Sequence, residues 1–374
     1  MRGPSLRRRT LLAGGAAFVS LPLAAQPRAA ARPLVIGQVF DASLAEQDVS
    51  KDFLVGARAA WQAIQSQGGL RGRPVQHVTV ETDGSAAGVR QALRTLLDNP
   101  NCVALSGTVG DPAAVQAVMA LRQDNVSIAH AAPWLQNSGL EVDERTFPIF
   151  AGRQEQIAHA LKSLSVMGVS EVGAVYASER ESSLYQRDVA GTAAALRLKV
   201  ASFRGSGDLE LLGRKLGPGT PALLLFLGGT PELVQFTRGL EREARQRYVI
   251  ALADVNLQTV LQMGAGKATP VIATQPVPMM GAPLSVVRRY REVLARLFDE
   301  PPAALSLAGF IAARYTFEVL NAIDGPVTRA SVLAAFQRRA DVDVGGYRVS
   351  YDDNRRSAGF VTQSMLTPDG RVVG

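Results

Sequence analysis

One cysteine, Cys102, stands among 374 residues, so no disulfide can form within the chain. Histidine is nearly as scarce, and His77, His130 and His159 are too scattered to build a Cys/His zinc cluster with a single thiol. Each reads as a structural histidine, and Cys102, which opens an apolar run, as a buried and inert thiol. Beyond residue 32 there is no run of 18 apolar residues, so the body holds no expected membrane-spanning helix. A repeat of fixed period and a Pro- or Ser-rich linker are also missing. At 47% hydrophobic, 20% charged and 6% aromatic residues, with Gly 35 and Pro 20, the composition excludes fibrous, coiled-coil and fully disordered chains. An ordinary globular α/β protein of about two domains remains.

The familiar enzyme signatures are absent as well. No Gly-x-Ser-x-Gly elbow supplies a strained nucleophile, and no Gly-x-Gly-x-x-Gly follows the first expected strand. Gly264-Ala265-Gly266-Lys267-Ala268 is superficially like a phosphate loop. It lacks the first glycine of that spacing, has Ala268 in place of the Mg-binding hydroxyl, and precedes a strand rather than a helix. No cofactor or metal is therefore expected, although a carboxylate-rich metal site, for which there is no motif, stays open.

A net charge of +7 would suggest nucleic acid if it were spread over the fold. Six of the 40 basic residues, Arg2, Arg7, Arg8, Arg9, Arg28 and Arg32, fall in the first 32 positions, where there is no acid, so the body is close to neutral. A nucleic-acid partner is not expected. The head Arg7-Arg8-Arg9-Thr10-Leu11-Leu12, the uncharged run at 11–25 and the small residues Ala24-Ala25 and Ala29-Ala30-Ala31 make a cleavable export signal at 1–32. Its apolar part is shorter than the roughly 20 residues that span a bilayer. Arg8-Arg9-Thr10-Leu11-Leu12 resembles a twin-arginine signal, which implies periplasmic delivery after cleavage at Ala25 or Ala31. With no cysteine nearby, a lipid anchor is not expected.

From Leu34 onward, short apolar runs alternate with stretches of helical period, the pattern of βαβ units. Strands are expected at 34–40, 75–82, 102–106, 126–131, 172–177, 198–203, 222–227, 248–253 and 271–275. Helices are expected at 52–67, 89–97, 113–123, 155–167, 184–196, 232–245, 284–298, 306–322 and 329–338, the last capped by Thr328. Two apolar runs, 346–351 and 360–366, flank a polar stretch and read as an antiparallel hairpin.

Several segments, in order, carry a family likeness: Gly56-Ala57-Arg58-Ala59-Ala60-Trp61, Gly68-Gly69-Leu70-Arg71-Gly72-Arg73-Pro74-Val75, Glu81-Thr82-Asp83-Gly84, Val103-Ala104-Leu105-Ser106-Gly107, Val172-Gly173-Ala174-Val175-Tyr176, Thr274-Gln275-Pro276-Val277-Pro278 and Ser306-Leu307-Ala308-Gly309-Phe310. From about Leu34 to the C-terminus the chain resembles the type I periplasmic solute-binding proteins of ABC transporters, of the branched-chain amino acid type. The resemblance implies two lobes, each a mostly parallel sheet flanked by helices, with a ligand cleft between them. Lobe 1 would comprise 33–149 and 276–338, and lobe 2 would comprise 150–275 and 339–374. No enzymatic activity is implied, and the partners would be a small-molecule ligand and an inner-membrane permease that docks the monomer.

The same resemblance assigns site residues. Thr108, Val109, Gly110 and Asp111 form the loop that presents N–H groups and a hydroxyl to a ligand carboxylate. Asp111 stands at the hydroxyl position, where its charge would oppose an anion, or else it caps the helix before Pro112. Pro133 and Trp134 replace the usual Thr or Ser for an ammonium group, and Trp134 either stacks on a flat ligand or packs on its lobe. Tyr176 faces the cleft or belongs to the core; Glu179 and Ser183 stand where the family has Asp and Gly. Asp254 meets a ligand cation or caps a helix beginning near Asn256. Ser43 stands in for a Ser-Gly pair in the first loop, and Gln275 ends a cleft-facing strand. The ligand class this suggests is an amino acid-like, amide or aromatic solute, neutral or cationic rather than a plain branched-chain amino acid. Two rival readings are a periplasmic sensor docking on a signalling receptor and a secreted enzyme using Asp83, Asp111, Glu179 or Asp254.

Overall fold

Each short apolar run finds its place as a strand only when an amphipathic helix returns the chain to the same edge of a sheet, and this alternation organises the body. The computed structural model describes residues 32–241, 245–265, 268–357, 359–367 and 369–374. The export signal, apart from Arg32, lies outside the described residues, as do Gly266 and Lys267 of the phosphate-loop-like stretch.

The chain begins β1 (Leu34–Asp41), α1 (Gln47–Ser66), β2 (Val75–Thr82), α2 (Ala86–Leu97), β3 (Cys102–Ser106), α3 (Asp111–Gln123), β4 (Ala129–Ala131) and β5 (Thr146–Phe147). These strands form a parallel sheet in the order β2-β1-β3-β4-β5. It continues through α4 (Arg153–Val166), β6 (Glu171–Tyr176), α5 (Glu179–Ala195), β7 (Lys199–Arg204), α6 (Leu209–Lys215), β8 (Leu223–Leu227), α7 (Thr230–Leu240), β9 (Tyr248–Ala251), α8 (Leu257–Gln262) and β10 (Val271–Gln275). Then come α9 (Ser285–Leu297), α10 (Ala304–Asn321), α11 (Arg329–Gln337), β11 (Val342–Val344), β12 (Tyr347–Val349), β13 (Thr362–Leu366) and β14 (Val372–Val373). The second sheet runs β14-β13-β10-β9-β8-β6-β7, with β13 and β14 antiparallel to their neighbours. Thr328 caps α11 as expected, in a capping box with Ser331.

The expected hairpin of 346–351 with 360–366 does not form. Instead β11 pairs with β12, while β13 lies against β10. Alternation marks a strand but not its partner, and the open edge of β10 competes for the second run. The segment 339–374 divides accordingly. Val344, Tyr347 and Val349 bury in the core cluster of the first sheet with Phe336 and Tyr315, whereas Leu366 buries in that of the second. Short elements with too few residues to show a period, α6, α8 and β5, were not foreseen.

Two features of topology position the site. In the first sheet the strand order reverses between β1 and β3, and in the second between β6 and β8, so each sheet opens a crevice at the carboxyl ends of those strands. The chain passes between the sheets three times, after β5, after β10 and after β12, and Arg32–Gly374 forms one compact unit.

The first sheet's helices pack through a pair of glycines. A Cβ on Gly56 of α1 would lie 1.6 Å from the Ser306 carbonyl oxygen, and one on Gly309 of α10 would lie 1.9 Å from that of Phe53. Such contacts need the backbones to move apart. In an open helix Gly→Ala stabilises by about 1 kcal/mol. Here Gly56→Ala is expected to destabilise by about 1–3 kcal/mol through overpacking, seen as a lower urea midpoint. An unchanged or higher midpoint would contradict this close helix approach.

Candidate functional site

A cavity of about 270 Å³ opens where the two crevices meet. The end of β1 and start of α1 bring Glu46, Asp48 and Val49 to it; β6 and α5 bring Ser178, Glu181 and Tyr185; β8 leads to Gly228, Gly229 and Thr230; and β9 leads to Asp254. Arg153, at the first turn of α4, reaches in from the chain crossing after β5.

Arg153 is the electrostatic centre. Its Nη1 donates to Asp111 Oδ2 at 3.0 Å, and its Nε and Nη2 donate to Asp254 Oδ2 at 2.9 and 2.5 Å. Nη1 also donates to the Tyr185 hydroxyl, and the guanidinium lies 5.1 Å from the centre of that ring. Burial works against the charge, but Asp254 and Asp111 outweigh it and hold the Arg153 pKa well above its ordinary value. Asp111 is not a helix cap. Gly110 occupies that position, and Asp111 Oδ1 instead accepts from the backbone N–H groups of Gln136 and Asn137 at 2.8 and 3.0 Å. Asp254 is not a cap either, because Asn256 begins α8 with its own side chain.

The other expected site residues are placed differently. Thr108 is fully buried with its hydroxyl 2.9 Å from His130 Nε2, and Val109 is stitched between Val39 and Asp41 by backbone hydrogen bonds. Neither they, nor Gly110, nor Pro133 lines the cavity. Trp134 is 1% exposed and packs edge-on to Phe53, with centroids 5.9 Å apart, and against Phe150 at 5.4 Å. Its packing role thus prevails over stacking on a ligand, and only its indole N–H points toward the cleft, 3.4 Å from Asp254 Oδ1. Tyr176 is buried in the core with Ile157 and Leu161. Ser43 sits in a shallow depression with Glu81 and Asp83, and Gln275 lines a separate cavity of about 280 Å³ beside Met280 and Ala303. Of the ten expected residues, then, Asp254 lines the main cavity, and Asp111 and Trp134 reach it through Arg153 and Asp254. Glu179 and Ser183 ride exposed on α5. Among the described residues no group of three or more His, Cys, Asp or Glu side chains could hold a metal ion, and no helix is long and apolar enough to cross a membrane.

Two residues at the heart of the site escaped the sequence reading, Arg153 and Glu46. Each breaks a local rule. An arginine in the first turn of a helix opposes the macrodipole. Glu46 is the N-cap of α1 yet makes no cap hydrogen bond, at a position that favours shorter side chains. Burial, reinforced by the negative charge of Asp254 and only partly offset by Arg153, raises the Glu46 pKa to about 8. Burial likewise raises Asp52 to about 6 and lowers His77 and His130 to about 4.

The chain matches the family described as periplasmic binding protein over residues 33–366. It therefore belongs to that family, and its two-sheet architecture is the type I fold. No curated protein matches significantly. An extracellular ligand-binding receptor from Verminephrobacter eiseniae is similar at TM-score 0.82 and 16% identity, covering 91% of this chain and 100% of its own. A substrate-binding periplasmic protein from Ralstonia solanacearum gives TM-score 0.79 at 20% identity, covering 91% and 99%. The branched-chain amino acid transporter substrate binding protein LivJ from Streptococcus pneumoniae, in complex with isoleucine, gives 0.75 at 13%, covering 91% and 98%.

Removing Arg153 strands two carboxylates, so Arg153→Met is expected to cost about 3–5 kcal/mol in denaturant unfolding. Arg153→Lys should recover part of that, since a point charge cannot fork to both partners. Glu46 adds a pH signature. Its folded pKa of about 8 exceeds the ordinary 4.5, so its contribution to stability is fully present below pH 4.5 and is lost as pH rises through 8. Glu46→Gln should therefore gain stability over wild type as pH increases from 5 to 8, by a few kcal/mol at most; parallel curves would refute the burial of this carboxyl.

Proposed function

We propose that this chain is an exported, non-enzymatic solute receptor whose two lobes close by a hinge on one small molecule in the periplasm and present it to the permease of an ABC transporter. The observation that carries the reading is the cavity built from the crevices of both sheets, at the strand ends where α/β folds bind ligands. Contacts that join the sheets across it support closure: Asp111 with Arg153, Trp134 with Asp254, and Asn256 with Asp52. The lobes are taken as 33–149 with 276–349, and 150–275 with the residues from 359 on. Residues 1–32 serve as a twin-arginine-like signal, and the receptor acts as a monomer.

The S. pneumoniae neighbour is described with isoleucine bound. In the present chain the loop that would receive such a ligand's carboxylate is turned to internal use, with Thr108 on His130 and Asp111 on Arg153. A neutral, cationic or aromatic solute suits the cleft better. Asp111 and Asp254 do meet, as an enzyme using cleft carboxylates would require, but they meet as the two partners of one guanidinium.

A thermal-shift screen of residues 32–374, followed by small-angle scattering, tests this. One selective solute should stabilise the fold by about 2.7 kcal/mol at a hundredfold excess over its Kd, compact the protein and be recovered unchanged. A solute consumed on incubation would favour the enzyme, and capture of a receptor ectodomain rather than a permease would favour the sensor. Nanomolar binding of leucine in calorimetry would overturn the exclusion of branched-chain amino acids.

A further inference from the structure

We propose that the cleft receives an organic cation that carries no carboxylate, a primary amine or a guanidinium, and that Glu46 is the residue that takes its charge; this rests on the solute-receptor reading.

The cavity is short of positive charge in a specific way. Arg153 is shared between Asp111 and Asp254, so that cluster already carries one carboxylate more than it has cations. Glu46 faces the same cavity, is 8% exposed, and has no hydrogen-bond or salt-bridge partner for its side chain among the described residues. A carboxyl this buried is ordinarily paired or hydrogen-bonded.

The remaining charged groups around the cavity are more exposed or are held by neighbours on at least one oxygen. Glu181 accepts from the Ser178 hydroxyl in the first turn of α5, and Glu232 and Asp48 lie in the first turns of α7 and α1, where helix dipoles favour anions. Asp41, behind Glu46 at the end of β1, accepts from the Ser43 N–H. Arg180, at the rim, is exposed to solvent. Tyr185 is engaged by Arg153. Of the cavity-lining carboxyls without a hydrogen-bond or ion-pair partner among the described residues, Glu46 is the buried one, and behind it Asp41 keeps its buried Oδ2 without a partner as well.

A ligand cation would complete this arrangement. It would sit between Glu46 and Asp254, which line the same cavity, and draw the Glu46 proton off into solvent as it binds. An amino acid would bring a carboxylate into the same negative field, with Arg153 already occupied by two acids. The cavity of about 270 Å³ suits a solute of a few carbon atoms. Proton loss from Glu46 also links binding to pH, because burial above all, and then Asp254, Asp111 and Asp41, oppose its ionisation while Arg153 favours it.

The experiment uses the mature chain, residues 32–374, with 1,4-diaminobutane and a monoalkylguanidine as probes, butanamide and butanol as neutral isosteres, and leucine. A cationic probe is expected to raise the melting temperature and bind in calorimetry, with the isosteres and leucine far weaker. Glu46→Gln, checked for folding by its ligand-free melt, should lose about 30-fold or more in affinity for the cation. Wild type at pH 7 should release close to one proton per cation bound, read from the dependence of apparent enthalpy on buffer, and Glu46→Gln should release none. If neither cation binds better than the isosteres, the charge assignment is overturned. If a cation binds equally well to Glu46→Gln, the role of Glu46 is overturned. A neutral solute or leucine that binds and compacts the protein would sink this inference while leaving the receptor intact, whereas a bound cation that is consumed, or that binds without compaction, would sink the receptor reading itself.

Discussion

A guanidinium withdrawn from water must find carboxylates, and Arg153 finds one in each half of the molecule. Asp111 belongs to the first sheet's α3 and Asp254 to the loop after β9 of the second sheet. Asp111 spends its other oxygen on the N–H groups of Gln136 and Asn137. Gln136 meets Gln156 at 2.7 Å, and Gln156 in turn accepts from the Ala253 N–H and the Thr274 hydroxyl, each at 2.9 Å. A continuous polar chain thus runs from one sheet to the other. Buried networks of this kind contribute less to net stability than to the choice of one geometry, because each member is costly to leave unsatisfied.

The same constraint engages the loop that the family resemblance assigns to a ligand. Where a type I receptor for amino acids would turn N–H groups and hydroxyls toward a ligand, this chain turns Thr108 to His130, Val109 to Val39 and Asp111 to Arg153. The scaffold is kept, while the groups that line the cavity are Glu46 at the N-cap of α1 and Asp254 after β9. A widely shared fold does not by itself fix the ligand class.

Much of the fold was legible. Strands expected at 75–82, 102–106 and 271–275 coincide with β2, β3 and β10, and the capping of α11 by Thr328 is as read. These features are local: a period of two or 3.6, a cap, a glycine stop. The hairpin at the C-terminus was misread because pairing is not local, and α6 and α8 were missed because one or two turns carry no period. Of the site, Asp254, Asp111 and Trp134 were named through the family resemblance, but their contacts were not visible. Glu46 and Arg153 gave a fainter sign, each contradicting the local preference of a helix start, and such contradictions concentrate where tertiary contacts or function override propensity.

By itself the sequence determined the alternation of strand and helix, the lack of catalytic and metal motifs, and the near-neutral body behind a basic head, since all three follow from composition and short-range pattern. Tertiary structure alone decided which charges meet. Arg153 lies 42 residues from Asp111 and 101 from Asp254, and no periodicity connects positions so far apart. Whether a carboxyl such as Glu46 is solvated or buried depends on walls contributed by other sheets and helices, and its proton affinity follows from that burial rather than from its neighbours in the chain.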